Sequence, residues 1–223
     1  MISVNLTTMK NAIIALFLAT TINAQDPLRL LPNNYRVIFE NDTVRVIHVI
    51  YRPHEKLAVH AHPSTPTLYA YLSDSGPVRF SHVEEKEKDF SIVRKPLKAG
   101  TFRLSPGRAE VHDVENLGDI PSEFLRIELR KVPLGFQKGD FRDTEPVDLT
   151  TSHTSVEFRG PSFRIDRIVA VPGHPIAIQD IDKPSLIVPF TQSTGNVHWL
   201  AAHEQLEVKA SGSPNHLLRI VFD

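Results

Sequence analysis

Apolar and polar residues alternate along most of the chain after residue 24, in short runs of four to nine residues. A period of two belongs to extended strands, whose successive side chains point to opposite faces; a helix needs apolar positions three and four apart. Runs rich in Val, Ile, Phe, Tyr and Thr cover 35–40, 44–51, 57–62, 67–72, 78–83, 90–94, 101–104, 109–115 and 122–130. A second set covers 155–158, 163–171, 176–180, 185–190, 197–200, 206–209 and 217–222. Turn residues separate them, as at Asn41-Asp42 and Ser75-Gly76. No helical period is sustained after residue 24. The pattern predicts an all-β fold, an antiparallel sandwich or barrel. The charged run 84–89 reads as a solvated loop between two strands. The polar, charged stretch 135–154 reads as a linker between a first domain, 25–134, and a second, 155–223.

The beginning of the chain follows another pattern. Residues 12–19 (AIIALFLA) are apolar, follow Lys10-Asn11, and lead to small and polar residues ending at Asn23-Ala24. A basic start, a short apolar run and a small residue at the exit form a signal peptide, 1–24, with Met9 as an alternative start. The run is too short to span a bilayer, which takes about 20 residues. The expected location is therefore secreted or periplasmic, with no membrane association after cleavage.

Composition narrows the chemistry. The chain has 223 residues and no cysteine, which excludes disulfides, thiolate metal sites, cysteine nucleophiles and lipid-modified cysteine anchors. A net charge of -1 argues against nucleic acid as a partner. No Gly-x-Ser-x-Gly elbow and no phosphate loop occurs, so triad hydrolases and nucleotide enzymes lack support. Eleven histidines are the unusual feature.

The chain also repeats itself. At an offset of 119 residues, Phe39 and Arg45 align with Phe158 and Arg164, Pro53 with Pro172, Ala58 with Ala177 and Tyr71 with Phe190. The same offset pairs Gly76 with Gly195, Val78 with Val197 and Phe80 with Trp199. Further on, Leu125-Arg126-Ile127 matches Leu218-Arg219-Ile220 at an offset of 93, so the second copy has lost 26 residues after Phe80. Two related β units are expected, the second shortened.

His60 and His62 lie two apart on one strand and so share a face. His112 lies on a second strand, with Glu110 and Val114 on its face. Three imidazoles converging from two strands would suit zinc, iron, manganese, nickel or copper. The segment His60-Ala61-His62-Pro63, followed by Pro66 and the aromatic strand Thr67-Leu68-Tyr69-Ala70-Tyr71-Leu72, resembles the first motif of the cupin family. Gly100, Pro106-Gly107, His112 and Asn116 resemble its second motif. Together the two copies resemble a bicupin, which implies a cupin-type double-stranded β-helix, or jelly-roll, barrel in two related units.

The sequence departs from the family pattern in three ways. Thr67 stands where the family usually has a glutamate ligand, Pro106 to His112 is one residue longer than usual, and Ser73-Asp74 replaces a glycine. A three-histidine site on His60, His62 and His112 is therefore implied. Glu110 reads as solvent-facing, with replacement of the missing carboxylate as the alternative. In the second copy His60 maps to Gln179 and His62 to Ile181, so that unit reads as structural. His48, Tyr69, Tyr71, Phe102 and Arg103 are candidate cavity-lining residues, and Arg45 and Arg103 candidate anion contacts. The resemblance implies an exported protein binding a divalent transition metal and a small-molecule ligand or substrate, as a dioxygenase-like oxidoreductase or an isomerase. A non-catalytic ligand-binding or structural cupin is the alternative, a metal-free sandwich a third, and a homodimer a further expectation.

Overall fold

The protein is described from a computed structural model, covering residues 26–83, 90–136, 141–142, 147–178, 182–190 and 196–223. Segment 1–24, read from the sequence as a signal peptide, the charged run 84–89, Gln179, Ile181 and Gly195 lie outside the described residues. A single-turn helix, α1 (Pro27–Leu30), is followed by β1 (Tyr35–Glu40), β2 (Val44–Tyr51), β3 (Lys56–His62), β4 (Thr67–Tyr71) and β5 (Val78–His82). Next come β6 (Phe90–Arg94), β7 (Phe102–Ser105), β8 (Glu110–Asn116), β9 (Ser122–Leu129) and β10 (Phe141–Arg142). The remaining strands are β11 (His153–Arg159), β12 (Phe163–Ala170), β13 (Ile176–Ala177), β14 (Ser185–Pro189), β15 (His198–Leu200), β16 (Glu207–Val208) and β17 (Asn215–Phe222). Among the described residues no helix is long and apolar enough to cross a membrane.

The strands form four sheets, ordered β3-β8-β5-β6, β1-β2-β9-β4-β7-β10, β11-β12-β17-β14-β15 and β13-β16. Side-chain parity explains how they stack. On the six-stranded sheet Val44, Val46, Leu68, Ala70, Phe102, Leu104, Leu125 and Ile127 share one face and pack against Phe163, Ile165, Leu186, Val188, Leu218 and Ile220 of the five-stranded sheet. Its other face carries Tyr35, Ile47, Val49, Tyr51, Tyr69, Tyr71 and Phe124, which meet Leu57, Phe80 and Val114 of the four-stranded sheet. A sheet covered on both faces has no polar face to show, and this is why β4 is buried at every position. Each fully buried Leu, Ile or Phe in the shared core contributes about 1.5–3 kcal/mol.

Local chemistry fixes the turns. Asn41 Oδ1 accepts hydrogen bonds from the backbone N–H groups of Thr43 and Val44, both at 2.9 Å, and so closes the β1–β2 hairpin. Gly107 has a φ of +87°, and a Cβ there would stand 2.6 Å from the backbone nitrogen of Pro66. The two proline-containing turns therefore touch only because this residue is glycine.

The repeat extends to register. β1 and β2 are bulged between Val37 and Phe39, and β11 and β12 between Val156 and Phe158, the same position at an offset of 119. The alignment slips by one residue at β14, where Pro189 opposes Leu217 as Tyr71 opposes Phe124, so Phe190 is not the counterpart of Tyr71, and it fails further on. β5 belongs to the four-stranded sheet, whereas β15 pairs with β14 in the place that β7 takes beside β4. Val197 and Trp199 are thus not counterparts of Val78 and Phe80, and the missing residues fall between β14 and β15. Strand composition alone cannot tell β5 from β7, since both are short runs bounded by turns. Within the stretch read as a linker, β10 pairs with β7 at the edge of the six-stranded sheet.

Candidate metal centre

Two strands and one bulge build the site. β3 and β8 pair with His60 opposite His112 and His62 opposite Glu110, all on the lumen side. The register shifts between Leu57 and His60, a bulge in β3, whereas β8 is in step from Glu110 to His112, so the extra residue between Pro106 and His112 falls in the turn before β8. There the Ala58 carbonyl lies 2.8 Å from His60 Nδ1. A carbonyl only accepts, so Nδ1 carries the proton and Nε2 keeps its lone pair. Tyr35 O–H, 3.1 Å away, donates to that lone pair, and the Tyr51 hydroxyl stands 2.9 Å behind Tyr35.

One ring nitrogen from each of His60, His62 and His112 falls within 4.8 Å of the others, and all three residues are buried. Metal–nitrogen bonds of about 2.0–2.1 Å require nitrogens roughly 3–3.5 Å apart, so small side-chain rotations close the cluster around an ion. Both ring nitrogens of His112 are buried without a hydrogen-bond partner among the described residues. An unsatisfied buried polar atom costs about 1–3 kcal/mol, and a metal bond would relieve it. Burial holds all three histidines below the ordinary imidazole range. His62 lies well below, and His112 falls to about 2, lowered further by neighbouring His60 and His82. Neutral imidazoles are the form that binds metal.

The surroundings correct several expectations. Glu110 is buried, not solvent-facing; its register puts it in the lumen, where Arg108 Nε lies at 3.3 Å and His112 Nδ1 at 3.8 Å. It does not join the three-nitrogen group. Thr67 lies on the opposite sheet and donates to the Thr65 carbonyl at 2.8 Å, so it is no ligand. Tyr69 and Tyr71 line the cavity as expected, but Phe102, Arg103 and His48 do not. Phe102 points into the shared core because its parity is opposite to that of its neighbour Arg103. Arg103 lies beneath Tyr69, its guanidinium 5.7 Å from the ring centre. His48 faces away from the lumen and binds Glu123 at 2.7 Å. Arg45 is taken up by Glu40 and Glu128, each at 3.5 Å.

Other residues were not foreseen. His82 stands opposite His112 on β5, their rings 5.2 Å apart. Tyr35, Tyr51, Phe80, Phe124, Arg94 and Arg126 also line the cavity. Arg126 is fully enclosed, with NH1 2.8 Å from the Tyr69 hydroxyl and Nε 3.3 Å from Glu128. Its signal was available: Arg126 shares the parity of Phe124 on β9 and lies two residues from Glu128, a built-in partner for a buried charge. Asn116, the last residue of the second motif, is structural. Its side-chain amide nitrogen donates toward the Tyr51, Arg52 and Ile120 carbonyls at 2.9–3.0 Å.

No protein-family description matches the sequence, and no curated protein does. Solved structures match the fold. The bacterial pirin YhhW from Escherichia coli, in complex with nickel(II), superposes with a TM-score of 0.58 at 12% identity, covering 84% of this chain and 90% of that one. The protein YhaK from Escherichia coli gives 0.56 at 12% identity, over 85% and 91%. A variant of the Bacillus subtilis oxalate decarboxylase OxdC gives 0.50 at 12% identity, over 85% and 72%. These are cupin-type structures, and the fold of this chain is cupin-type.

Proposed function

We propose that this cupin-type protein uses His60, His62 and His112 to hold a divalent transition metal and presents it to a small molecule in the lumen of its first unit. The reading is carried by the cluster itself: three buried, neutral imidazoles brought within 4.8 Å, one of them with both nitrogens unsatisfied. A metal held by three histidines would supply open coordination positions and Lewis acidity to a chelating ligand. The chain's own residues set the rest. The Ala58 carbonyl fixes the His60 tautomer, a second-shell contact of the kind that orients metal ligands. With His60 Nε2 holding a metal, the Tyr35 hydroxyl would lose its acceptor there and its O–H would be free to donate to a bound ligand. Burial holds both Tyr35 and Tyr51 above the ordinary phenol range, so they act as neutral donors. Aromatic walls keep water away.

The reaction class that fits such a site is a dioxygenase-like oxidation or an isomerisation. A non-catalytic ligand-binding role is the second reading. It is favoured by one observation: the lumen carboxylate Glu110 is engaged by Arg108 and stands outside the three-nitrogen group. Export through a signal peptide at residues 1–24, a structural second unit and the division at the 135–154 linker belong to the same proposal. It is supported by the sequence pattern, and the mass of protein recovered from the periplasm or medium tests the export.

The decisive test is metal content. Protein equilibrated with nickel, manganese, iron(II), zinc or copper should retain about one ion per chain for at least one of them, measured by elemental analysis. His60→Ala and His112→Ala should each lose it. Retention of no metal, or equal retention in both variants, would overturn the reading. Oxygen uptake in a substrate screen then separates the dioxygenase-like reading from the others.

A further inference from the structure

The lumen holds more cationic charge than its own contacts use. Arg94, Lys95 and Arg126 line it, against the single carboxylate Glu110. Arg126 is matched by Glu128, and Glu110 is engaged by Arg108. Arg94 is left over. It closes β6 directly opposite Val78 of β5, and directly opposed residues point to one face. Val78 faces the lumen, so Arg94 does too. Its guanidinium carbon lies 4.0 Å above the centre of the Phe80 ring, and its Nε is buried with no hydrogen-bond partner among the described residues. Lys95 follows at the exposed rim.

A guanidinium stacked on a ring has its in-plane N–H groups free for a planar anion. The walls between Arg94 and the histidines are aromatic: Tyr35, Tyr51, Tyr69, Tyr71, Phe80 and Phe124. Such walls favour a flat apolar body over a hydrated one. We infer that the site takes a small organic anion with a flat apolar body, its carboxylate or equivalent oxyanion read by Arg94 at the lumen rim and its other end directed toward His62 and His112. The inference deepens the proposed metal site and rests on that reading for where the reacting end lies. Arg94 is then a specificity residue, not a member of the metal cluster.

Calorimetric titration with benzoate, and with benzamide as its neutral isostere, tests it on the full chain, metal-free after chelation and again loaded with nickel. Benzoate should bind at least tenfold more tightly than benzamide in the metal-free protein. Arg94→Gln should remove that preference, and Arg94→Lys should keep part of it. Arg79→Gln, which removes a guanidinium paired with Glu115 at 2.8 Å on the same sheet, should leave it intact. Equal affinity for the two probes, no benzoate binding, or an unchanged preference in Arg94→Gln would overturn the inference. The two readings separate cleanly. Benzoate preference in a protein that retains none of the five ions sinks the metal site alone. Nickel bound at the histidines without benzoate preference sinks the anion site alone.

Discussion

At four matched positions the first unit carries an aromatic ring and the second a smaller group. Strand register pairs Tyr51 with Ala170, Tyr69 with Ile187, Tyr71 with Pro189 and Phe124 with Leu217. Arg126 and Arg219 also correspond, and both are buried. The hydrogen-bonded frame is thus shared, down to a common bulge, while the interiors diverge. In the first unit large rings stand back from a lumen that holds imidazoles and a carboxylate. In the second, Ile168, Ile178, Ile187, Leu200, Val208 and Leu217 fill the space, and two short strands suffice to close it. A cavity with polar walls needs a wide opposing sheet and rings to bridge the gap. A packed aliphatic interior needs neither, so that half can lose strands and still fold. The two units remain bound through the faces they turn to each other, where Phe163 and Leu186 meet Leu68 and Leu125.

Four changes probe that contrast. Tyr51→Ala gives the first unit the side chain of the second and leaves a void behind Tyr35. Urea unfolding should show a loss of about 3–5 kcal/mol, the cost of removing a large buried ring. A loss below 1 kcal/mol would mean the lumen wall is not tightly packed. Metal should act on one unit only. A ligand at 100 times its dissociation constant stabilises by about 2.7 kcal/mol, so the bound ion should raise the wild-type melting temperature and leave His112→Ala unmoved. The reverse exchange, Ala170→Tyr, forces a ring into a filled interior and should cost about 1–3 kcal/mol by the same urea assay, with metal binding unchanged.

The smallest effect concerns the contact between the units. Arg167 NH1 donates to the Gly100 carbonyl at 2.8 Å and to His216 Nε2 at 2.6 Å. Gly100 has a φ of +85°, and a Cβ there would stand 2.5 Å from His216. Burial, with Arg167 beside it, lowers His216 to about 3. The unfolded imidazole takes up a proton near 6.5, whereas the folded one resists it. Stability from this group is therefore complete above pH 6.5 and is lost as pH falls from there toward about 3. Between pH 6.5 and 5 the loss should be roughly 1–2 kcal/mol, and a His216→Asn variant should show a correspondingly flatter decline. Parallel pH profiles for the two proteins would remove His216 from the account.

Much of the site could be read without coordinates. His60 and His62 share a face because strands repeat every two residues, and His112 sits at a strand position that allows it to join them. The lining residues were harder. Tyr35, Tyr51 and Arg126 meet the histidines only because β1, β2 and β9 are neighbours in the sheet that lies opposite β3 and β8. Phe102 was misplaced because a sheet buried on both faces makes every position apolar or enclosed, so alternation no longer says which core a residue joins. Glu110 was misplaced because an acidic residue defaults to solvent unless something nearby engages it, and Arg108 does.

The sequence by itself determined the all-β class, the turn positions, the first part of the repeat and the three histidines, since these follow from periodicity and from the backbone demands of Gly, Pro and Asn. Only the tertiary structure decided which sheet each strand joined, where the second unit lost its residues, and which side chains surround the imidazoles. Those depend on pairings between strands far apart in the chain, and strands of similar composition leave no local mark of the partner they will choose.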